Sequence, residues 1–384
     1  MNVKRYVKYL SACFMRIATR GLFFLPVKQN RILFNTYDGR HICCNPKAIF
    51  EELIKMYPGQ FEYVWTLESD KELRRYKNEN VRYVSLRSPM FYIMKATSKV
   101  CVVNSACFPE IPLRRNQFQV YTHHGGGAYK TAGAAIVGAN TKSNIRKLKW
   151  DAANISLFLS SSKYFTDEVV RKQKLYDGEV YEYGMPRNDK LITGDYSAAK
   201  IVRKHYRISP SKHIVLYAPT YKAPSDKVYE AINIAAVLAA AKERFGGDWI
   251  FMARTHYLGK TISMGNSVVS ANDYPDMQDL LAAADILISD YSSSIWDYSF
   301  TCKPCLLYTP DVNEYISNRG LDTPIETWGF PICKTNKKLC DTLINWNAED
   351  YKKKMEAHHL ALQSYESGTA TEKVCRRIYN ECFK

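Results

Sequence analysis

The sequence has no apolar run long enough to cross a bilayer and no leader ending in a small-residue cleavage site, so neither a spanning helix nor a cleaved secretory signal is expected. No two CxxC pairs stand at zinc-binding spacing. The eleven cysteines are scattered, and the one CxxC, Cys302 and Cys305, runs through Pro304 into an apolar segment that reads as a strand entering a core. Reduced, mostly structural thiols in a cytosolic compartment are therefore expected. Acidic residues do not cluster as metal ligands do, so neither a metal nor a cofactor is expected. Internal repeats and low-complexity segments are also missing. Acidic charge is scarce: 38 Asp and Glu face 54 Lys and Arg, a formal net charge of +16. Such a surface seeks something acidic. The basic residues are spread along the chain and no nucleic-acid motif accompanies them, so nucleic acid is not expected as a partner. Phosphorylated substrates and anionic lipid fit better.

A chain of 384 residues exceeds one ordinary domain and suggests two. In residues 1–28, Val3, Tyr6, Val7, Leu10, Phe14, Ile17 and Ala18 recur at helical spacing among Lys4, Arg5, Lys8, Arg16 and Arg20, followed by an apolar cluster at Leu22 to Leu25. That pattern suits a helix lying in a headgroup region, on an anionic membrane surface. It also suits a helix docked on its own domain with a solvated charged face. Beyond it, apolar strands alternate with helical stretches: Arg31 to Asn35, Tyr63 to Leu67, Val81 to Val84, Val100 to Asn104 and Phe118 to Thr122, then His213 to Tyr217, Trp249 to Ala253, Asp285 to Ile288 and Cys305 to Tyr308. Such alternation predicts two parallel-sheet, Rossmann-like α/β domains, with ligands at the carboxyl edges of the strands in a cleft between them. The expected divisions are 29–190 for the first domain, 191–350 for the second, and 351–384 for a helical region, Ala348 to Tyr379, closing back over the first domain.

Four strand-end loops carry chemistry. Tyr121-Thr-His-His-Gly-Gly-Gly-Ala-Tyr-Lys130 places two histidines before a glycine turn, where a backbone can approach a ligand and an imidazole can take a proton from a hydroxyl. Leu216-Tyr-Ala-Pro-Thr-Tyr-Lys222 ends a strand at a proline and offers the Thr220 hydroxyl and the Lys222 ammonium. In Ala253-Arg-Thr-His256, Arg254 and His256 lie two apart on extended backbone and point to one side, as two ligands of a diphosphate would. In Asp285-Ile-Leu-Ile-Ser-Asp-Tyr-Ser-Ser-Ser294 an apolar strand stops at hydroxyls and a helix begins. Unpaired N–H groups and a helix dipole favour a phosphate there, although serines also cap helices routinely.

The ordered series Asn45-Pro-Lys47, His124-Gly125, Gly184-Met-Pro-Arg-Asn-Asp189, Tyr217-Ala-Pro-Thr220, Arg254-Thr-His256, Asp285 to Ser293, Trp296-Asp297, Lys303-Pro304, Tyr308, Asp311, Glu314-Tyr315 and Arg319-Gly320 resembles the CDP-glycerol glycerophosphotransferase family of teichoic-acid primases and polymerases, over nearly the whole length. The resemblance implies a GT-B-type fold. It also implies transfer of a polyol phosphate from CDP-glycerol, or equally CDP-ribitol, to an acceptor hydroxyl on a lipid-linked or glycan acceptor, at the cytoplasmic face of the membrane. His124 is similar to the family's catalytic histidine and would be the general base; His256 is similar to its second essential histidine and would bind the donor diphosphate. Ser292 and Ser293 would bind donor phosphate, with Arg254, Thr220, Lys222, Gly125 and Arg319 as further substrate contacts. Asp297 or Asp311 would reach ribose or polyol hydroxyls, while Asp290, repelled by a diphosphate, would shape the turn. One departure stands out: the family commonly has His-Gly-Thr-Pro where this chain has His124-Gly125-Gly126-Gly127, which implies a looser loop on the acceptor side. A GT-B sugar transferase acting on a nucleotide sugar is the rival enzyme reading.

Overall fold

The computed structural model describes residues 3–77, 79–105, 107–136, 141–220, 231–254 and 268–384, with side chains from Ser11 onward. Thirteen strands are found among them, in two sheets. The first holds β1 (Lys28–Asn35), β2 (Glu62–Thr66), β3 (Val81–Val84), β4 (Ser98–Val103), β5 (Phe118–Tyr121), β6 (Leu157–Leu159) and β7 (Glu179–Tyr181), in the order β3-β2-β1-β4-β5-β6-β7. The second holds β8 (Lys212–Tyr217), β9 (Asp248–Ala253), β10 (Val268–Ser270), β11 (Ile286–Ser289), β12 (Cys305–Tyr308) and β13 (Ile332–Cys333), in the order β10-β9-β8-β11-β12-β13. Every pairing is parallel. Both orders reverse direction beside their first strand. This is the doubly wound arrangement, whose ligands bind at the carboxyl ends flanking that reversal: β1 and β4 in one sheet, β8 and β11 in the other.

The strands are buried because helices cover both faces, which is why they read as near-continuous apolar runs rather than alternating ones. Phe34 and Trp65 stack at 4.9 Å, with Phe50 edge-on to Phe34 at 5.5 Å, so the helix Cys44–Met56 seals one face of β1 and β2. In the second sheet Ile286, Leu287, Ile288, Leu306 and Leu307 are fully buried.

The chain forms two compact units of GT-B type. One comprises residues 1–124, 132–189 and 365–384; the other comprises 125–131 and 190–364. The chain passes from the first unit to the second at 189–190. Residues 125–131 leave the first stretch and pack in the second unit. The carboxy-terminal region, expected as one helical closure of the first domain, is two helices. Ala348–Ala361 belongs to the second unit, and only Ala370–Phe383 returns to the first. The break follows from backbone chemistry: Gln363 and Gly368 take positive φ of 49° and 76°, which no helix continues through.

The Gly184-to-Asp189 motif is structural in the first unit. Glu366 accepts from Met185 N at 2.9 Å and from Asn188 Nδ2 at 2.9 Å, while Asp189 accepts from Ala370 N at 3.2 Å and Thr371 N at 2.7 Å at the start of the last helix. These bonds join two distant stretches of sequence.

In the second unit, burial pushes the imidazoles of His358 and His359 down to about 4. His358 Nε2 lies 2.8 Å from the Tyr129 hydroxyl, which donates to the neutral ring. A ring whose folded pKa lies below its ordinary value near 6.5 contributes stability that is fully present above pH 6.5 and lost as pH falls toward 4, because the unfolded chain takes the proton first. The fall is on the order of 3 kcal/mol for a ring so buried. We expect Tm to decline steadily from pH 6.5 to pH 4 in thermal unfolding, and His358→Gln to flatten that decline while lowering Tm at pH 7.

Candidate functional site

At the reversal of the second sheet, strand register sets the site. Tyr217 pairs with Ala253 on one side and Ile288 on the other, so Ala218, Arg254 and Ser289 leave the sheet at one level. Arg254 N donates to Tyr217 O at 2.9 Å and Ser289 Oγ donates to Ala218 O at 2.7 Å, which ties the three loops together at their roots. Asp290, only 1% exposed, accepts from Thr220 N at 2.7 Å and from Tyr291 N at 2.5 Å. Its carboxylate thus shapes the turn. Thr220 Oγ1 and Arg254 Nη1 are buried and have no hydrogen-bond partner among the described residues. Buried donors are rarely left in this state, and a hydroxyl and a guanidinium together fit an anionic ligand.

Lys130 belongs to the same unit and completes the charge pattern. Burial is the main influence on its ammonium and lowers its pKa, the Asp290 carboxylate opposes that, and Arg319 adds to the lowering. Sequence reasoning passed over Lys130; what marks it is position, since it follows the glycine turn and bridges to Leu321. Arg319 is exposed, and its carbonyl accepts from Thr131 Oγ1 at 2.7 Å.

The serine turn is partly committed to itself. Ser292 Oγ accepts from Ser294 Oγ at 3.0 Å and Ser294 N at 3.4 Å, and Ser293 stands at the helix start without a side-chain capping bond. The helix that follows, Ser294–Ser299, has six residues, so hydroxyls and local N–H groups matter more here than a helix dipole. Asp297 was expected at substrate hydroxyls. It is 3% exposed, and its Oδ2 accepts from Gln278 Nε2 at 2.8 Å, a place in the interior. Asp311 likewise accepts from the buried Tyr291 hydroxyl at 2.9 Å, and Tyr291 stacks on Tyr315 at 3.8 Å. Lys222 and His256 lie outside the described residues.

The histidine loop is built in the first unit. Asn45, fully buried, donates from Nδ2 to Thr122 O at 3.1 Å and His123 O at 3.2 Å, and its Oδ1 accepts from Arg187 N at 3.0 Å. One amide therefore fixes the loop. His123 takes a positive φ of 53° and stacks on His124 at 4.8 Å, and Tyr37 meets the His124 ring edge-on at 5.6 Å. His124 is exposed, and its Nδ1 lies 3.0 Å from Asn104 O. A carbonyl only accepts, so Nδ1 carries the proton and Nε2 the lone pair, the tautomer a general base requires.

Beyond His124 the loop is packed, not loose. Gly125 opens the segment belonging to the second unit. A Cβ on Gly126 would lie 2.3 Å from Trp296 Cδ1, and Gly127 holds a positive φ of 72° against the Tyr129 ring. Glycine is present because the indole occupies the space of a side chain.

Comparison with known proteins accords with these observations. The family profile described as CDP-Glycerol:Poly(glycerophosphate) glycerophosphotransferase matches residues 17–380. The chain is 30% identical over 361 residues to a teichoic acid poly(glycerol phosphate) polymerase of Bacillus spizizenii, covering 89% of this chain and 91% of that one. It is 25% identical to a teichoic acid glycerol-phosphate transferase of Staphylococcus aureus, covering 98% and 100%. The solved wall teichoic acid polymerase TagF soaked with CDPG shares the fold with a TM-score of 0.81 at 22% identity, over 100% of this chain and 98% of that one.

The glycine packing gives a direct check. Gly126→Ala is expected to lower unfolding free energy by about 1–3 kcal/mol through overpacking against Trp296. Gly21→Ala, whose Cβ would meet nothing within 4 Å, is expected to leave it unchanged. Urea unfolding of the two variants measures both.

Proposed function

Because the chain belongs to the CDP-glycerol glycerophosphotransferase family and is a transferase of that type, we propose that it moves glycerol phosphate from CDP-glycerol to a hydroxyl of a lipid-linked or capsule or teichoic-acid glycan, releasing CMP. The observation carrying this reading is the pair of unpartnered buried donors, Thr220 Oγ1 and Arg254 Nη1, at the reversal of the second sheet beside Lys130. Donors fixed before the ligand arrives stabilise phosphoryl charge without reorganising.

In the proposed reaction the acceptor oxygen attacks the phosphorus that bears glycerol. A new P–O bond forms, the bond from that phosphorus to the bridging oxygen breaks, and the bridging oxygen leaves with its electron pair on CMP. Nε2 of His124 takes the acceptor proton and passes it to solvent. Thr220, Arg254, Lys130 and the Ser292–Ser293 turn hold the donor phosphates, and Arg319 adds positive charge near them. Lys222 and His256 keep the donor-binding roles that the resemblance implies. The relatives named for glycerol phosphate favour CDP-glycerol over CDP-ribitol.

The amino-terminal helix Val3–Arg20 supports a reading of location. Arg16 Nη1 donates to Pro109 O, and Thr19 Oγ1 donates to Glu110 O at 2.9 Å, so one side of the helix is docked. Phe14, Ile17 and Phe24 are 69%, 71% and 82% exposed, with Arg20 exposed among them. Exposed apolar residues beside arginine suit a peripheral position on an anionic membrane surface, at its cytoplasmic face.

His124→Ala is expected to abolish acceptor-dependent CMP release while CDP-glycerol affinity by calorimetry changes less than about threefold; wild-type turnover would refute the base. Offering CDP-ribitol in parallel, with mass analysis for a phosphodiester or a glycoside, separates the rival donors and the sugar transferase. The double variant Phe14→Ser, Ile17→Ser is expected to lose at least about tenfold in affinity for vesicles containing phosphatidylglycerol. Equal cosedimentation of wild type and variant would refute the membrane reading.

A further inference from the structure

Cys43 and Cys44 are the one pair of cysteines adjacent in the sequence, and both are thiols, 3% and 7% exposed, at the start of the helix Cys44–Met56. Cys43 is extended, while Cys44 holds a positive φ of 61°, a conformation that a β-carbon disfavours. The Cys43 side chain makes no capping bond, so starting the helix does not account for the pair.

A second group marks the sulfur. Arg187, 6% exposed, donates from Nη1 to Cys44 Sγ at 3.4 Å, and a cation beside a thiol is the setting in which cysteines react. The Tyr37 phenol lies against the same pair: burial pushes its pKa well up, and the Cys44 and Cys43 sulfurs push the same way against Arg187. Access comes from the preceding turn. Residues 36–43 hold neither helix nor strand, and Asp38, Arg40 and His41 are exposed, so local opening there uncovers the sulfurs without unfolding the sheet.

Two neighbours connect the pair to the histidine loop. Asn45, the next residue, holds that loop through Thr122 O and His123 O and accepts from Arg187 N, and Tyr37 meets the His124 ring edge-on. Neighbouring Cα atoms stand about 3.8 Å apart, closer than the roughly 4.4–6.8 Å usual across a disulfide, so joining these two sulfurs forces their shared backbone to move. Asn45 moves with it.

We propose that Cys43 and Cys44 form a modification site for small-molecule disulfides, which close the pair into a ring and displace the histidine loop. One cysteine sulfur attacks the small disulfide, a new S–S bond forms as the old one breaks, and one small thiol leaves. The adjacent thiol then attacks the bonded cysteine sulfur and expels the second small thiol. The pair gives up two electrons and two protons, which the two released thiols carry. Because the second sulfur sits on the next residue, capture is intramolecular and outruns loss of the mixed disulfide. Strained disulfides are reduced readily, so excess thiol opens the ring again. The effect on turnover rests on the transferase reading above; ring formation and loop displacement do not.

The test treats full-length protein with oxidised glutathione and follows the mass of the unreduced peptide containing Cys43 and Cys44, hydrogen exchange of the peptide containing His123 and His124, and CMP release. The expected results are a peptide lighter by two hydrogens, faster exchange at the histidines, and CMP release lower by at least about tenfold, all restored by dithiothreitol. Cys43→Ser, close to cysteine in volume, is expected to keep untreated activity within about twofold and to resist the oxidant in all three readouts. Cys43→Ala repeats the comparison without a buried hydroxyl. A pair that stays reduced or carries glutathione with no ring overturns the proposal. So does a ring that leaves exchange and CMP release unchanged, or equal loss of CMP release in both variants. No CMP from untreated protein overturns the transferase reading alone, and mass and exchange still decide the ring.

Discussion

The buried carboxylate of Asp290 is the constraint around which the loops of the second unit are arranged. Asp290 cannot be desolvated without compensation, since an unpaired buried charge costs several kcal/mol. Two backbone N–H groups, from Thr220 and Tyr291, supply the compensation, and Lys130 supplies charge. The same bonds decide where the loops after β8 and β11 run. They use the Thr220 amide, while its hydroxyl has no partner among the described residues.

The first unit solves a related problem with a neutral side chain. Asn45 has two N–H donors and one carbonyl, and all are used on the backbone of the histidine loop and of Arg187. His124 thereby inherits a fixed approach to Asn104 and a defined tautomer without being buried. Rigidity comes from the neighbour, and accessibility is retained by the imidazole.

Much of this was legible in the sequence, for reasons that differ by residue. The long buried strands were legible because burial on both faces leaves unbroken apolar runs, as at Ile286 to Ile288. Strands β6, β7, β10 and β13 were not, being two or three residues long with no period to detect. His124, Thr220 and Arg254 stood at strand ends, where chemistry gathers, whereas Lys130 looked like any surface lysine because its setting comes from Leu321 and Asp290, remote in sequence. The bond of Asp297 to Gln278, nineteen residues away, was not legible either, because it depends on the packing of two helices. The glycines after His124 suggested looseness because a one-dimensional reading cannot see the Trp296 indole.

The seven residues 125–131 have a consequence for how such a chain can be divided. Tyr129 lies 4.4 Å from the Trp328 ring and bonds to His358, and Lys130 pairs with Leu321, so this strip is part of the second unit's interior although it is encoded within the first. A gene fragment running from 190 to 364 would encode a body with a missing plank, its aromatic groove left open to water. Exchange of halves between related transferases, by recombination or by design, has to carry this strip along with the half it completes. The glycine turn is then the point at which the chain passes between the two units, next to His124.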